Sequence, residues 1–246
     1  MKYGGCTHVG KVRETNQDSY YINYNDNLPV FAVADGMGGH NGGEIASDIA
    51  IDVIKNNSEI YLNKLSEEKL SIENFIRHTL ELSNEQIYKA AIEDESYKGM
   101  GTTVTMGCIF KDELFIGNIG DSRAYIIKNN NIIKITEDHS LVAELVKNGT
   151  ITKEEAINHP QKNIITRALG TDENVKIDIY NYHIQENDVI LLCTDGLTNL
   201  VSEAKIMEYI EEFNDIQNIC DNLINHANDN GGYDNSTVII IKVDKE

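Results

Sequence analysis

Four aspartates in this chain share one local setting. Asp35 ends the apolar run 29–34 and is followed by Gly36, Met37, Gly38 and Gly39. Asp121 follows Gly120 at the end of the run 114–119, and Asp195 stands between the run 189–194 and Gly196. Asp234 lies between Gly231-Gly232-Tyr233 and the run 237–241. One aspartate so placed is ordinarily a turn residue or a helix cap. Four with the same surroundings point to strand ends converging on one edge. Clustered carboxylates repel one another and take up protons unless cations are present. An all-oxygen set suits Mg²⁺ or Mn²⁺ rather than zinc. Glycine after the acid lets the backbone approach, so the Gly36 carbonyl is itself a candidate ligand. Two ions bridged by one carboxylate make hydroxide from a shared water near neutral pH, a nucleophile suited to phosphorus. A phosphate also needs a cation that grips its oxygens, and Arg13 is the candidate. A surface salt bridge is the other reading of Arg13.

The elements that must position these residues are short. Strand-like runs recur at 19–24, 29–34, 103–110, 113–119, 123–128, 131–136, 189–194 and 237–243. The polar turn Lys111-Asp112-Glu113 predicts one hairpin, and Asn129-Asn130-Asn131 a second. Helical spacing of apolar residues begins at Gly43 and recurs over 71–93 and 203–228. Strands in antiparallel groups and helices in separate blocks predict an α+β fold, two packed sheets with helices on their outer faces. Residues 140–168 fit neither pattern and are expected to form a helical insertion with a loop around Asn158-His159-Pro160.

With 246 residues the chain suits one large domain. Its formal net charge of −19 excludes nucleic acid and an anionic membrane surface as ready partners. The first residues carry no apolar signal segment, and no uncharged run is long enough to span a bilayer. Cys6, Cys108, Cys193 and Cys220 form no C-x-x-C pair and are expected to be free thiols, mostly buried, in a reducing cytoplasm.

Taken in order, RETNQDS (13–19), VADGMGG (33–39), GMGTTVT (99–105), GNIGDSRAY (117–125), EDHSLV (137–142), ITRALG (165–170), LLCTDGLTNLV (191–201) and GGYDNSTVIII (231–241) resemble the metal-dependent Ser/Thr protein phosphatases of type 2C in their compact bacterial form. The resemblance implies a β-sandwich of two antiparallel sheets flanked by helix pairs. It implies hydrolysis of phosphoserine and phosphothreonine by metal-activated water, with no phosphoenzyme. It implies that Asp35 bridges two Mn²⁺ or Mg²⁺ ions, that the Gly36 carbonyl holds one, and that Asp195 and Asp234 complete the other. Asp121, with Asp195, matches the site of a third, weaker ion, and Arg13 matches the phosphate-gripping arginine. Residues 140–168 match the variable flap of a single catalytic domain, 1–246. The expected partners are Ser/Thr-phosphorylated proteins and a cognate Ser/Thr kinase, with the enzyme a cytoplasmic monomer.

Two departures stand out. Gln17, followed by Asp18, occupies a position where many members carry glutamate; that acid acts through metal-bound water, so the Gln17 amide oxygen can still accept a hydrogen bond, Asp18 is a candidate ligand through water, and the second ion is expected to bind more weakly. Met37 stands where animal members carry a histidine proposed as general acid, and His40, three residues on, is not a ready replacement. His139 is expected to pack or hydrogen-bond at the base of the insertion, and Asn235 to orient Asp234. His8 is expected to lie near a strand end away from phosphate, and Thr102-Thr103 to serve strand and turn. Two rival readings are a phosphatase dedicated to one regulatory protein, which ordinarily carries sensory domains, and a phosphoprotein-binding pseudoenzyme, which is expected to have lost metal acids.

Overall fold

The structure is a computed structural model that describes residues 1–25, 27–39, 42–64 and 71–244. Two antiparallel sheets face each other. The first runs in the order β1 (Lys2–His8), β11 (Ser236–Lys242), β10 (Val189–Cys193), β7 (Arg123–Lys128), β8 (Asn131–Lys134). The second runs β2 (Asp18–Asn23), β3 (Val30–Met37), β5 (Val104–Phe110), β6 (Glu113–Ile119), β9 (Asp178–His183), with the two-residue β4 (Gly101–Thr102) paired to the end of β3. Helices α1 (Gly42–Lys64) and α2 (Ile72–Glu93) cover the outer face of the second sheet. Helices α5 (Asp195–Thr198), α6 (Glu203–Glu212) and α7 (Ile216–Asp229) cover the outer face of the first. The expected α+β sandwich is therefore what the chain forms.

The period of two along each strand builds this arrangement. In β3, Val30, Ala32 and Ala34 face α1 and α2, whereas Phe31 and Val33 point between the sheets. In β10, Val189, Leu191 and Cys193 face α7, and Ile190 and Leu192 point inward. In β11, Val238 and Ile240 face outward and Ile239 and Ile241 inward. These strands are buried on both faces, so their sequences read as continuous apolar runs with no visible alternation.

Four features depart from the expectations. β1 is a strand despite Gly4 and Gly5, because pairing with β11 across its whole length supplies the ladder. A Cβ on Gly4 would press on the Ile216 carbonyl at 2.9 Å, and one on Gly5 on the Tyr20 ring at 2.9 Å. β9 lies on the sheet edge, where its Asp, Asn and His residues are tolerated. The helical stretch 203–228 is two helices, since the Asp215 side chain accepts from Asn218 N–H and starts α7 afresh. Finally β3 does not stop at Asp35 but runs on through Gly36 to Met37. The second hairpin turns at Asn129 and Asn130, both at positive φ (49° and 58°), as a two-residue turn of matching twist requires.

Phe31 fills the space between the sheets and lies against Gly107, where any Cβ would overlap its ring. Phe31→Ala is expected to cost about 3–5 kcal/mol. Urea unfolding with an unchanged m-value checks this.

Candidate active site

The same alternation that places Phe31 and Val33 between the sheets places Asp35 at the end of that slot. Asp18 faces Asp35 directly in the β2–β3 register. Across the slot, the inward positions of the first sheet continue past Leu192 to Thr194 and past Ile239 to Thr237. Both threonines donate to Asp18 Oδ2, from Thr194 Oγ1 at 2.8 Å and Thr237 Oγ1 at 2.7 Å. Asp18 thereby ties the second sheet to the first. Asp18 Oδ1 is buried and, among the described residues, has no hydrogen-bond partner; Asp121 Oδ1 is in the same condition.

Each remaining acid has its own support. Asp35 donates its N–H to Thr103 Oγ1 (3.1 Å) and accepts at its carbonyl from Thr103 N–H (2.9 Å). Thr103 Oγ1 also pairs with Ser122 Oγ at 2.8 Å, which links the Asp35 strand to the turn carrying Asp121. Asp195 opens α5, and Asn199 Nδ2 donates to its Oδ2 at 3.0 Å. Asp234 Oδ1 accepts from Asn235 N–H at 2.9 Å, and its Oδ2 takes Arg13 at 2.9 Å. Gly196 lets these two loops touch, since a Cβ there would overlap the Asn235 carbonyl. Gly36 is similarly pressed against the Gly43 carbonyl, and its N–H donates to the Gln17 carbonyl at 3.0 Å.

The carboxylates raise one another's affinity for protons. Burial, then the charges of Asp18, Asp195, Asp121 and Asp234, push Asp35 well above the usual carboxylate range. Burial pushes Asp18 from 3.8 to about 7, against the hydroxyls of Thr237 and Thr194 and with help from Asp195 and Asp234. Burial pushes Asp121 to about 7, with Asp195 and Asp138 adding to it. Asp195 is raised by burial and then by Asp234. Arg123 is committed to Asp138 through a forked pair, with Nη2 to Oδ2 at 2.8 Å. As they stand, no three acidic, histidine or cysteine side chains among the described residues close around a single point. The fit to divalent cations rests instead on the orphaned oxygens of Asp18 and Asp121 and on a surplus of buried negative charge, which hard cations resolve.

All the acids expected from the sequence thus lie in one neighbourhood. Arg13 is there too, exposed and ion-paired with Asp234. Asn235 does more than steady its neighbour. Its Oδ1 accepts from Gln17 N–H, and its Nδ2 donates to the Val9 and Thr15 carbonyls, which staples the Arg13 loop to the Asp234 loop. Gln17 lies against Gly43. Met37 packs over Gly101, 3.0 Å from where a Cβ would sit, and His40 lies outside the described residues. His8 accepts from Gly10 N–H and is exposed. His139 is buried, accepting from Gly120 N–H at Nδ1 (3.0 Å) and meeting Asp178 at Nε2 (3.0 Å).

Sequence reasoning missed Thr194, Thr237 and Thr103 as supports. The inward parity of β10 and β11, extended by one step, was the available signal for the first two. The insertion comprises α3 (Leu141–Lys147) and α4 (Lys153–Ile157), neither of which has a buried residue among those described. A bridge from Ser140 to Ile165 closes its base.

Comparison with known proteins bears directly on this arrangement. The family described as Protein phosphatase 2C matches residues 6–240. A serine/threonine phosphatase stp from Listeria welshimeri is 39% identical over 237 residues, covering 96% of this chain and 93% of that one. The crystal structure of the Mycobacterium tuberculosis serine/threonine phosphatase PstP/Ppp superposes with a TM-score of 0.90 at 31% identity, covering 99% of each chain. The catalytic domain of serine/threonine protein phosphatase PstP in complex with two manganese ions superposes at 0.84 with 31% identity, covering 99% of this chain and 98% of that one.

The raised acids make a pH prediction for the ion-free protein. Asp18 and Asp121 hold protons in the folded state up to about pH 7, whereas in the unfolded chain they release them near 3.8. Their contribution to stability is full below the unfolded value and is lost as pH rises through about 7. Chelator-treated protein is therefore expected to weaken between about pH 4 and pH 7, as read by urea unfolding, and added Mn²⁺ to remove that slope. Asp18→Asn is expected to flatten the slope without Mn²⁺ and to raise the ion-free melting temperature at pH 8.

Proposed function

We propose a division of labour among these carboxylates that starts from one fact: the chain belongs to the protein phosphatase 2C family and is a metal-dependent protein serine/threonine phosphatase. Its substrates are accordingly phosphoproteins. In this reading Asp35 and the Gly36 carbonyl would hold the core ions, Mn²⁺ or Mg²⁺, together with Asp195 and Asp234; Asp121 would serve a third ion with Asp195, and Asp18 would act through water. The observation that carries the reading is the convergence of mutually repelling, largely buried carboxylates, two with unsatisfied oxygens, at the end of the inter-sheet slot. When bound, the cations supply Lewis-acid charge to the phosphoryl oxygens and acidify the water that attacks phosphorus.

The chain's own residues do the positioning. Arg13 reaches the site from an exposed loop held by Asn235, and its guanidinium already sits on a carboxylate. A phosphate presents the same kind of oxygen face, so Arg13 would be able to grip a substrate phosphate in place of Asp234. Thr103 keeps Asp35 and the Asp121 turn in fixed relation. Met37 has no proton to give, so the leaving alkoxide would draw its proton from a group other than the residue after Asp35-Gly36. The segment 140–168 serves as a flap on a single catalytic domain spanning 1–246. The enzyme works as a monomer against a Ser/Thr protein kinase in the cytoplasm, a reading supported by free thiols at all four cysteines.

Two variants test the division. Asp35→Asn is expected to lower kcat by about a thousandfold, with little rescue by added Mn²⁺. Asp121→Asn is expected to keep tight binding of the core ions but to turn over ~10 to 100 times more slowly. Calorimetric Mn²⁺ titration beside a phosphopeptide assay separates them, and full turnover in chelator would contradict the whole reading. Arg13→Ala is expected to raise KM by about tenfold with a smaller fall in kcat, because it grips oxygens charged in both ground and transition states. A kcat effect with KM untouched would remove Arg13 from that role.

A further inference from the structure

We infer that His139 is a positioning residue for the reaction: it clamps Gly120 and thereby sets the place of the Asp121 carboxylate. The inference rests on the reading of Asp121 given above, and it concerns a side chain that touches neither ions nor substrate in that reading.

The clamp has two points on one residue. His139 N–H donates to the Gly120 carbonyl at 3.0 Å, and Gly120 N–H donates to His139 Nδ1 at 3.0 Å. Both backbone polar groups of Gly120 are therefore met by His139, and the carbonyl also accepts from Asn118 Nδ2 at 3.4 Å. Gly120 itself is at φ +104°, a conformation that favours glycine, and a Cβ there would meet Thr103 at 2.5 Å. Thr103 thus blocks the turn on one side while His139 grips it on the other. Asp121 is the next residue, so its carboxylate inherits whatever precision the clamp gives.

The ring's orientation is set in turn. Because Nδ1 accepts, Nε2 carries the hydrogen and donates to Asp178 Oδ2 at 3.0 Å. Asp178 Oδ1 accepts from Arg167 Nη1 at 3.1 Å. Asp178 belongs to β9 and Arg167 to the segment returning from the insertion, so two separate elements fix one tautomer. The His139 carbonyl also accepts from Thr166 N–H at 2.8 Å. A histidine that merely filled space would need none of these directed bonds; here every polar atom of the residue is used.

Asparagine and glutamine separate the clamp from packing. His139→Asn keeps an acceptor at the distance of Nδ1 and gives up the reach to Asp178. His139→Gln keeps the reach to Asp178 and leaves Gly120 N–H buried without its acceptor. On Mn²⁺-loaded protein with a phosphothreonine peptide, His139→Gln is expected to lower kcat about tenfold with KM nearly unchanged, and His139→Asn to recover most of that loss. In an Asp121→Asn background, His139→Gln is expected to cost less than about twofold further, because the clamp acts through Asp121. Asp178→Ala, at a partly exposed residue, releases the ring without cutting into the buried pocket. It is expected to lower kcat about threefold, and it decides the matter if His139→Gln does not fold. Equal losses in His139→Asn and His139→Gln, or a full tenfold loss in the Asp121→Asn background, would overturn the inference. Asp121→Asn at wild-type speed would overturn the reading of Asp121 and the inference with it. A slow Asp121→Asn beside an unaffected His139→Gln would overturn the inference alone.

Discussion

One carboxylate joins the two halves of this molecule. Asp18 belongs to the second sheet, yet its Oδ2 is held by two threonines of the first, Thr194 and Thr237. Between the sheets Phe31, Ile239 and Leu192 belong to one apolar cluster, whose contacts are strong but not directional. The paired hydroxyl bonds add direction at the one level where it matters. They fix how β10 and β11 end relative to β2 and β3, and hence where Asp195, Asp234 and Asp35 stand. A slip of either sheet by one residue would turn the threonines outward and remove the acceptor from both.

The site works against the fold that carries it. Burying several carboxylates within reach of one another costs free energy that the apolar slot must offset. The molecule limits that cost by leaving an open face toward Asp234 and its partner Arg13, and by neutral hydrogen-bonding support from Thr103, Asn199 and Asn235. Arg123, the cation next in sequence to the Asp121 turn, is turned away onto Asp138. A site stocked with permanent countercharges would be more stable alone and would bind divalent cations less well. Metal binding and conformational stability are thus parts of one equilibrium.

Much of this was legible in the sequence, and the remainder was hidden for definite reasons. The aspartate-glycine strand ends were visible because acids rarely interrupt apolar runs without cause. The sandwich was visible from the number and spacing of the runs. β1 was hidden because Gly4 and Gly5 break any strand pattern; its ladder comes from β11, more than 200 residues away. The threonine supports were hidden because β10 and β11 are apolar on both faces, so the parity that turns Thr194 and Thr237 inward has no contrast to show it. The choice between salt bridge and phosphate grip for Arg13 was undecidable from spacing, since both call for the same residue in the same place; the structure shows the ion pair with Asp234.

The insertion 140–168 carries a different consequence. Its two helices are fastened at the base by main-chain bonds, from Leu141 N–H to the Ile164 carbonyl and from Thr166 N–H to the His139 carbonyl, while neither contributes a buried residue. Its side chains are therefore almost absent from the free energy that holds the sandwich together, and local opening there is cheap. Substitutions along α3 and α4 are therefore expected to leave the stability of the sandwich nearly where it was, so this stretch is the part of the chain whose surface can be altered at least cost to the fold.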